Sequence, residues 1–399
     1  MSPSAIRFDH LERLTDDTGL LEHCLGRIPR RREGYSADDN ARAIWLCVEW
    51  LAQLPEDCQA ERSLLYRLLD RYLAFLLWAQ KEDGWFQNNI RFDRTPEPEE
   101  RSEDCLGRSL WASAVVCVHL SDEARREVAA EILRRALLAA SELRRMRGLA
   151  WALAAGCLLL AHTGLTPTRR AEGVRFDLLA DARPDNHPLR LEALGLTREQ
   201  LTSHVQEWER RLTNAYEDQA DDGWRWFEPE LNYSNGLLPW AMWVAWRVGG
   251  RETTRRIAEA SLDFLVQQMS GEDGRIRPIG NRGWCTREWR ADWDQQPIDV
   301  MKLALAAREA YLATGEARWR EVLRRSLNWF HGDNDLNLPM ADPSDGSCCD
   351  GLSPSGANPN RGAESTLSYL FTEAYAASLN LAGGRSHELA YTPDRAASV

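Results

Sequence analysis

Apolar residues recur every three to four positions through most of the chain. "ARAIWLCVEWLAQL", "LLYRLLDRYLAFLLWAQ", "GLAWALAAGCLLLAH" and "DVMKLALAAREAYLATG" are examples. That spacing lines one face of an α-helix with apolar side chains. About twelve segments carry it, counting a weaker one around residues 9–24. Alternating β-branched runs are almost absent, so the pattern predicts an all-α protein.

The connections between these segments come in two kinds. "LPEDCQ", "LSDEA", "VGGRE" and "TGEA" are very short, and short links make antiparallel neighbours. The others are long and rich in Gly, Pro, Trp, Asn and Asp, as in "KEDGWFQNNIRFDRTPEPEERSED". Helix, short turn, helix, long loop is the repeating order. A faint echo supports a repeat: "AQKEDGWF", "DQADDGWRWF" and "QQMSGEDGRI" each follow a helix end. Six hairpins of about 65 residues can close on themselves. The expected fold is an (α/α)6 toroid, a six-hairpin barrel with long loops on one face. Residues 1–385 are expected to form that single domain, with 386–399 as a C-terminal tail.

Closure has a consequence for the polar motifs. In such a barrel the inner helices all run the same way, so their N-termini share a face with the long loops. "SADDNAR", "RSEDCLGR", "NYSNG", "WDQQPID" and "NRGAES" all stand at the head of a hairpin's first helix. The second helices begin blandly, as in "SDEARR" and "EARWRE". Helix capping would decorate both kinds of start alike. A face of carboxylates, amides and tryptophans instead suits a polyhydroxylated ligand. Amides and carboxylates bind hydroxyls, and indole faces cover the C–H side of a sugar.

Composition narrows the partners. The net charge of −12 opposes nucleic acid or an anionic membrane surface. No apolar run is long enough to span a bilayer, and the N-terminus lacks a signal-peptide h-region, so a cytoplasmic location is expected. The nine cysteines read as reduced thiols. A zinc site from Cys285, Cys348, Cys349 and His331 would match no familiar ligand spacing. No metal or cofactor is expected. The chain has only two lysines, Lys81 and Lys302, and 17 tryptophans.

Each candidate has a plain structural explanation beside the functional one. Ser36 can cap a helix whose first turn holds Asp38 and Asp39, and Ser102 can do the same for Glu103 and Asp104. Thr15 can cap Asp16 and Asp17. Two acids beside Asn40 and Arg42 exceed what a cap needs, and adjacent like charges can raise a pKa. The candidate acids for catalysis are Asp39, Asp104, Asp294 and Glu364. The candidate substrate contacts are Asp38, Asn40, Arg42, Glu103, Tyr233, Asn235, Gln296, Asn360 and Arg361, with the loop tryptophans Trp85, Trp224, Trp284 and Trp293. Trp45, Trp78, Trp151 and Trp243 lie on helices and are expected in the core.

These motifs carry a resemblance. "RLTDDTGLLEH", "GYSADDNARA", "EDGWF", "SEDCLGRSLWA", "QPIDVMKLALAAREAY" and "NRGAESTLSYL" together resemble a bacterial domain fused to, or encoded near, family-4 glycosyltransferases. More broadly the chain resembles the six-hairpin glycosidase superfamily. The resemblance implies a carbohydrate site at the inner-helix N-termini, but hydrolases, epimerases and lyases share that architecture. The leading expectation is a glycoside hydrolase acting on a bacterial oligosaccharide with two carboxylates, by inversion. An epimerase would want paired histidines, and the motif-rich loops hold few. A non-catalytic glycan-binding partner of a glycosyltransferase is the third reading.

Overall fold

The computed structural model describes residues 6–164, 168, 170–181 and 189–381. Twelve α-helices appear among them: α1 (Asp9–Leu14), α2 (Ala37–Gln53), α3 (Gln59–Ala79), α4 (Glu103–His119), α5 (Glu123–Ala139), α6 (Met146–Ala161), α7 (Arg198–Gln219), α8 (Leu237–Gly249), α9 (Glu252–Gln268), α10 (Pro297–Thr314), α11 (Ala317–Phe330) and α12 (Ala363–Ser378). The even-numbered helices each pack on the next, and α12 packs back on α2, so they form a closed inner ring. The odd-numbered helices stand outside, and the short α1 packs against α12. This is the (α/α)6 toroid. The extended structure among the described residues is four antiparallel pairs of two-residue strands and some isolated bridges.

Helix character follows from position in the ring. An inner helix touches two ring neighbours and an outer partner, so it is apolar nearly all round. In α6 every residue from Arg147 to Leu160 is buried. Outer helices such as α11 bury one stripe, here Trp319, Val322, Leu323, Ser326, Leu327, Trp329 and Phe330. The tight turns after α8 and α10 use Gly250 (φ 72°) and Gly315 (φ 73°), left-handed positions that favour glycine.

Two expectations change. The helix expected over residues 9–24 stops at Leu14. Thr15 ends it rather than capping a new one, because its hydroxyl donates back to Leu11 O at 2.8 Å. Asp16 then accepts from the N–H groups of Thr18 and Gly19, a turn geometry that competes with helix. Trp78, expected in the core, is 49% exposed on the outer helix α3.

The two ends of the barrel differ. At the base, residues 171–181 cross under the inner helices: Arg175 N donates to Ser378 O, and Arg308 reaches Phe176 O, both at 2.8 Å. Buried charges fasten this cover, with Arg247 at 2.5 Å from both Asp177 and Glu309. At the top, the long loops are stitched to one another by bridges such as Leu231 to Cys285 and Gln295 to Leu352. They surround the heads of the inner helices. Among the described residues no helix is long and apolar enough to cross a membrane.

Candidate functional site

At the mouth of the barrel, four carboxylates from three inner helices are tied by two buried arginines. The side chain of Arg42, on α2, bonds Asp39 at 2.5 Å and Glu364, at the head of α12, at 2.6 Å. The side chain of Arg108, on α4, lies 2.9 Å from Asp38 and 2.5 Å from Asp104. The Arg108–Asp38 contact is an ion pair at an angle that makes no proper hydrogen bond, and it leaves Asp38 Oδ1 and Arg108 Nη1 without one. Tyr233 closes the ring from the loop before α8, its hydroxyl 3.4 Å from Arg108.

Local sequence explains how the acids are held. Ser36 caps α2 by accepting from Asp39 N at 3.2 Å, and Ser102 caps α4 by accepting from Cys105 N at 3.1 Å. Outer helices are capped too, α5 by Asp122 and α7 by Thr197. Capping therefore does not separate the two kinds of helix start; the charged ring beyond the caps does.

The four acids differ in what they leave open. Asp39 uses one oxygen on Arg42 and the other on the Ser36 hydroxyl. Asp104 accepts from Arg108 on one oxygen and from Trp151 Nε1, at 2.9 Å, on the other. Glu364 meets Arg42 through Oε2 alone, and its side chain is 36% exposed. Asp38 meets Arg108 through Oδ1 alone and is 21% exposed. Burial pushes the Asp38 carboxyl up, the Arg108 charge opposes this, and the neighbouring Asp104 adds to the rise.

The core next to the ring is aromatic and fully buried. Trp45 of α2, Trp111 of α4, Trp151 of α6 and Trp240 of α8 form a cluster with ring centroids 4.9–6.4 Å apart. From α12, Phe371 joins it, 4.5 Å from Trp45. From α10 comes Lys302, its amine 4.4 Å from the Trp151 ring centre and 5.5 Å from that of Trp45. Lys302 is fully buried and its amine has no hydrogen-bond partner. Burial, reinforced by the positive charges of Arg108 and Arg42, pushes its pKa well below the ordinary value.

Three further acids border the ring. Glu22 is pushed up to about 8, by burial first and then by the charge of Asp39. Asp350 is raised by burial and by Glu364. Asp299 is pushed up to about 7 by burial. Backbone N–H groups of Ser234 and Asn235 act against that rise, yet neither carboxylate oxygen reaches hydrogen-bond geometry, so burial prevails.

The other residues singled out by sequence have local tasks. Glu103 accepts from Arg144 N and Arg145 N at 2.6 Å, fastening the start of α6. Asn40 links Ser36 O to Leu20 N, and Asn235 bonds the backbone of Asn232. Asn360 ties Cys24 N, His23 and Asp350 together, and Arg361 holds Ser347. Asp294 pairs with Arg282 at 2.9 Å on the 269–296 loop rather than with the arginines of the ring. Gln296 stands at the head of α10 without a side-chain cap bond. Trp85 is buried under Arg101, and Trp224 is buried against Phe264 with its N–H on Glu228 O. Trp284 and Trp293 are partly buried against the core. All nine cysteines are free thiols, and among the described residues no group of three or more His, Cys, Asp or Glu is placed to hold a metal ion.

Arg108, Lys302, Glu22 and Asp350 were not evident from sequence. Arg108 does carry a signal, four residues after Asp104 in "SEDCLGR". Lys302 carries another: it is one of two lysines, inside the apolar run "VMKLALAA".

Neither a family model nor a curated protein sequence matches the chain. Solved structures match over nearly its whole length. A cellobiose 2-epimerase from Bacillus thermoamylovorans aligns with a TM-score of 0.63 at 9% identity, covering 94% of this chain and 96% of its own. A sugar epimerase from a ruminal bacterium gives 0.60 at 10% identity, covering 94% and 97%. An α-mannanase of glycoside hydrolase family 76 from Bacteroides thetaiotaomicron gives 0.55 at 9% identity, covering 93% and 94%. At these identities the likeness establishes the shared toroid fold.

Proposed function

We propose that the protein is a carbohydrate-active enzyme that hydrolyses a glycosidic bond, with Asp38 as general acid and Glu364 as general base. The observation that carries this reading is the asymmetry within the carboxylate ring. Asp39 and Asp104 have both oxygens engaged, whereas Asp38 and Glu364 each keep one uncommitted and partly exposed. A raised pKa suits Asp38 to deliver a proton to the leaving oxygen. Glu364, at the head of the neighbouring helix α12, is then the group that takes a proton from the attacking water. Asp39, Asp104 and the two arginines position them. The tryptophan cluster beside the ring is fully buried and packs the barrel core, so it supports the carboxylates and offers no ring face to a ligand. Acid and base on opposite sides of the sugar give inversion at the anomeric carbon. Solved relatives of the same fold include sugar-processing enzymes, which supports a sugar as substrate.

The test is reducing-sugar release from a panel of α- and β-linked gluco- and manno-oligosaccharides. Asp38→Asn and Glu364→Gln are each expected to lower kcat by about 10²-fold or more, with helicity unchanged. Full activity in both variants overturns the assignment.

One observation favours a second reading, epimerisation of a free sugar. Lys302 carries a buried amine with no hydrogen-bond partner whose pKa burial lowers, the type of base that takes a proton next to a carbonyl. Solvent deuterium appearing at C2 of a recovered free sugar, with no glycoside cleaved, selects this reading over hydrolysis.

A further inference from the structure

A groove of about 620 Å³ opens beside the carboxylate ring, between the head of α6, the end of α7 and the loop before α8. Its size is that of a pocket for a ligand larger than one sugar ring. Two residues belong to both groove and ring. Asp104 lines the groove while it bonds Arg108. Tyr233 does the same: its hydroxyl meets Arg108, and its ring faces Arg147 at 5.5 Å.

The groove wall is stiffened at its inner end. Arg147 bonds Tyr233 O at 2.8 Å and Glu228 at 2.8 Å, and it also bonds Asn232. These contacts fix the loop that carries Tyr233. Charge along the lining is slightly negative, with Asp104, Asp218 and Glu228 set against Arg145 and Arg147. Apolar surface from Met146, Phe227 and Pro229 lies among these polar groups. A lining with one acid in excess does not favour an anion, and mixed polar and apolar lining matches the two faces of a sugar.

We infer that this groove is an extension subsite that binds the second and later units of an uncharged oligosaccharide whose first unit lies in the carboxylate ring. This inference rests on the ring being the sugar site. It makes chain length, rather than the identity of a single sugar, a determinant of recognition. The chain leaves the barrel mouth over Tyr233 toward the end of α7.

Two variants test it away from the ring. Ala215→Trp fills the groove from the half-buried face of α7, and Gln219→Ala removes a polar group from its wall. Calorimetric titration uses gluco- and manno-oligosaccharides of one to five units on the full chain. Wild-type affinity is expected to rise about tenfold from one unit to three, roughly 1.4 kcal/mol. That gain is expected to vanish in Ala215→Trp and to shrink in Gln219→Ala, while single-unit binding stays equal. If affinity rises with length, the rise is lost in Ala215→Trp, and no bond is cut, the groove stands and hydrolysis falls. If bonds are cut but affinity ignores length, or Ala215→Trp keeps the full gain, the groove assignment is overturned and hydrolysis stands. No binding by any glycan overturns both.

Discussion

Replacing Lys302 with Met is expected to make the protein more stable, and most so at neutral pH. The amine is fully buried, without a hydrogen-bond partner, over the faces of Trp151 and Trp45. A buried polar group left unsatisfied costs about 1–3 kcal/mol, and Met keeps most of the stem's contacts while removing the amine. Unfolding entropy of about 2.1 cal/mol/K per residue over 399 residues gives about 0.8 kcal/mol/K, so Tm should rise by about 1–4 °C above pH 10.5, where the amine is neutral in both states, and by more at lower pH. Ionisation adds a pH signature. A base whose pKa is lowered by folding binds fewer protons folded than unfolded. Wild-type stability therefore rises with pH between the lowered value and the ordinary 10.5. The slope is about 1.4 kcal/mol per pH unit for one group. The variant lacks this slope, so its advantage shrinks as pH climbs toward 10.5. Urea unfolding of both proteins between pH 7 and 9.5 measures the gap, and other titrating groups cancel in the difference. Parallel curves over that range would refute a pKa lowered well below the ordinary value in the folded state.

Three other outcomes follow from contacts described above. Arg247→Met strands Asp177 and Glu309 at the barrel base and should cost about 3–5 kcal/mol in urea unfolding, with much of the loss recovered when Asp177→Asn and Glu309→Gln are added. Glu103→Ala releases the start of α6 and should cost about 1 kcal/mol while leaving kcat/KM within about twofold; a large kinetic loss would instead make Glu103 a substrate contact. Hydrolysis needs Asp38 protonated, so kcat/KM should fall as pH rises past its raised pKa. Asp104→Asn removes a neighbouring negative charge that helps raise it, and should move that alkaline limb to lower pH; an unmoved limb argues against Asp38 as the acid.

The toroid was legible because hairpin order, link length and helical period are local properties of sequence. The alternation of bland and polar helix starts even indicated which ends gather at the mouth. Roles within the site were less legible, for a geometric reason. Asp38 and Asp39 are neighbours in sequence and nearly equal as sequence signals, yet they turn to different arginines. Which of them keeps an open oxygen depends on Ser36, on Arg108 and on Asp104 from another helix. The same applies to Asp294, conspicuous in a Trp-rich loop but bound to Arg282. The helix expected over 9–24 failed because the side chains of Thr15 and Asp16 bind backbone, a competition that apolar period cannot see. Trp78 was expected inside because it follows the apolar run of α3, but its place on the outer ring leaves it half in solvent.

The ring is joined shut at its seam by the most distant parts of the described chain. His10 on α1 bonds Arg361 O, 351 residues away, and His10 N bonds Asp345 O. During synthesis α1 emerges first and its partner α12 last. At about 5–20 residues per second, α1 waits roughly 20–70 s for the surface it packs against. Through that interval α1 can meet only its early neighbours, such as Trp50 of α2 beside Phe8, and lacks those from α12. The barrel is thus a structure whose first-made piece is among the last to find its place.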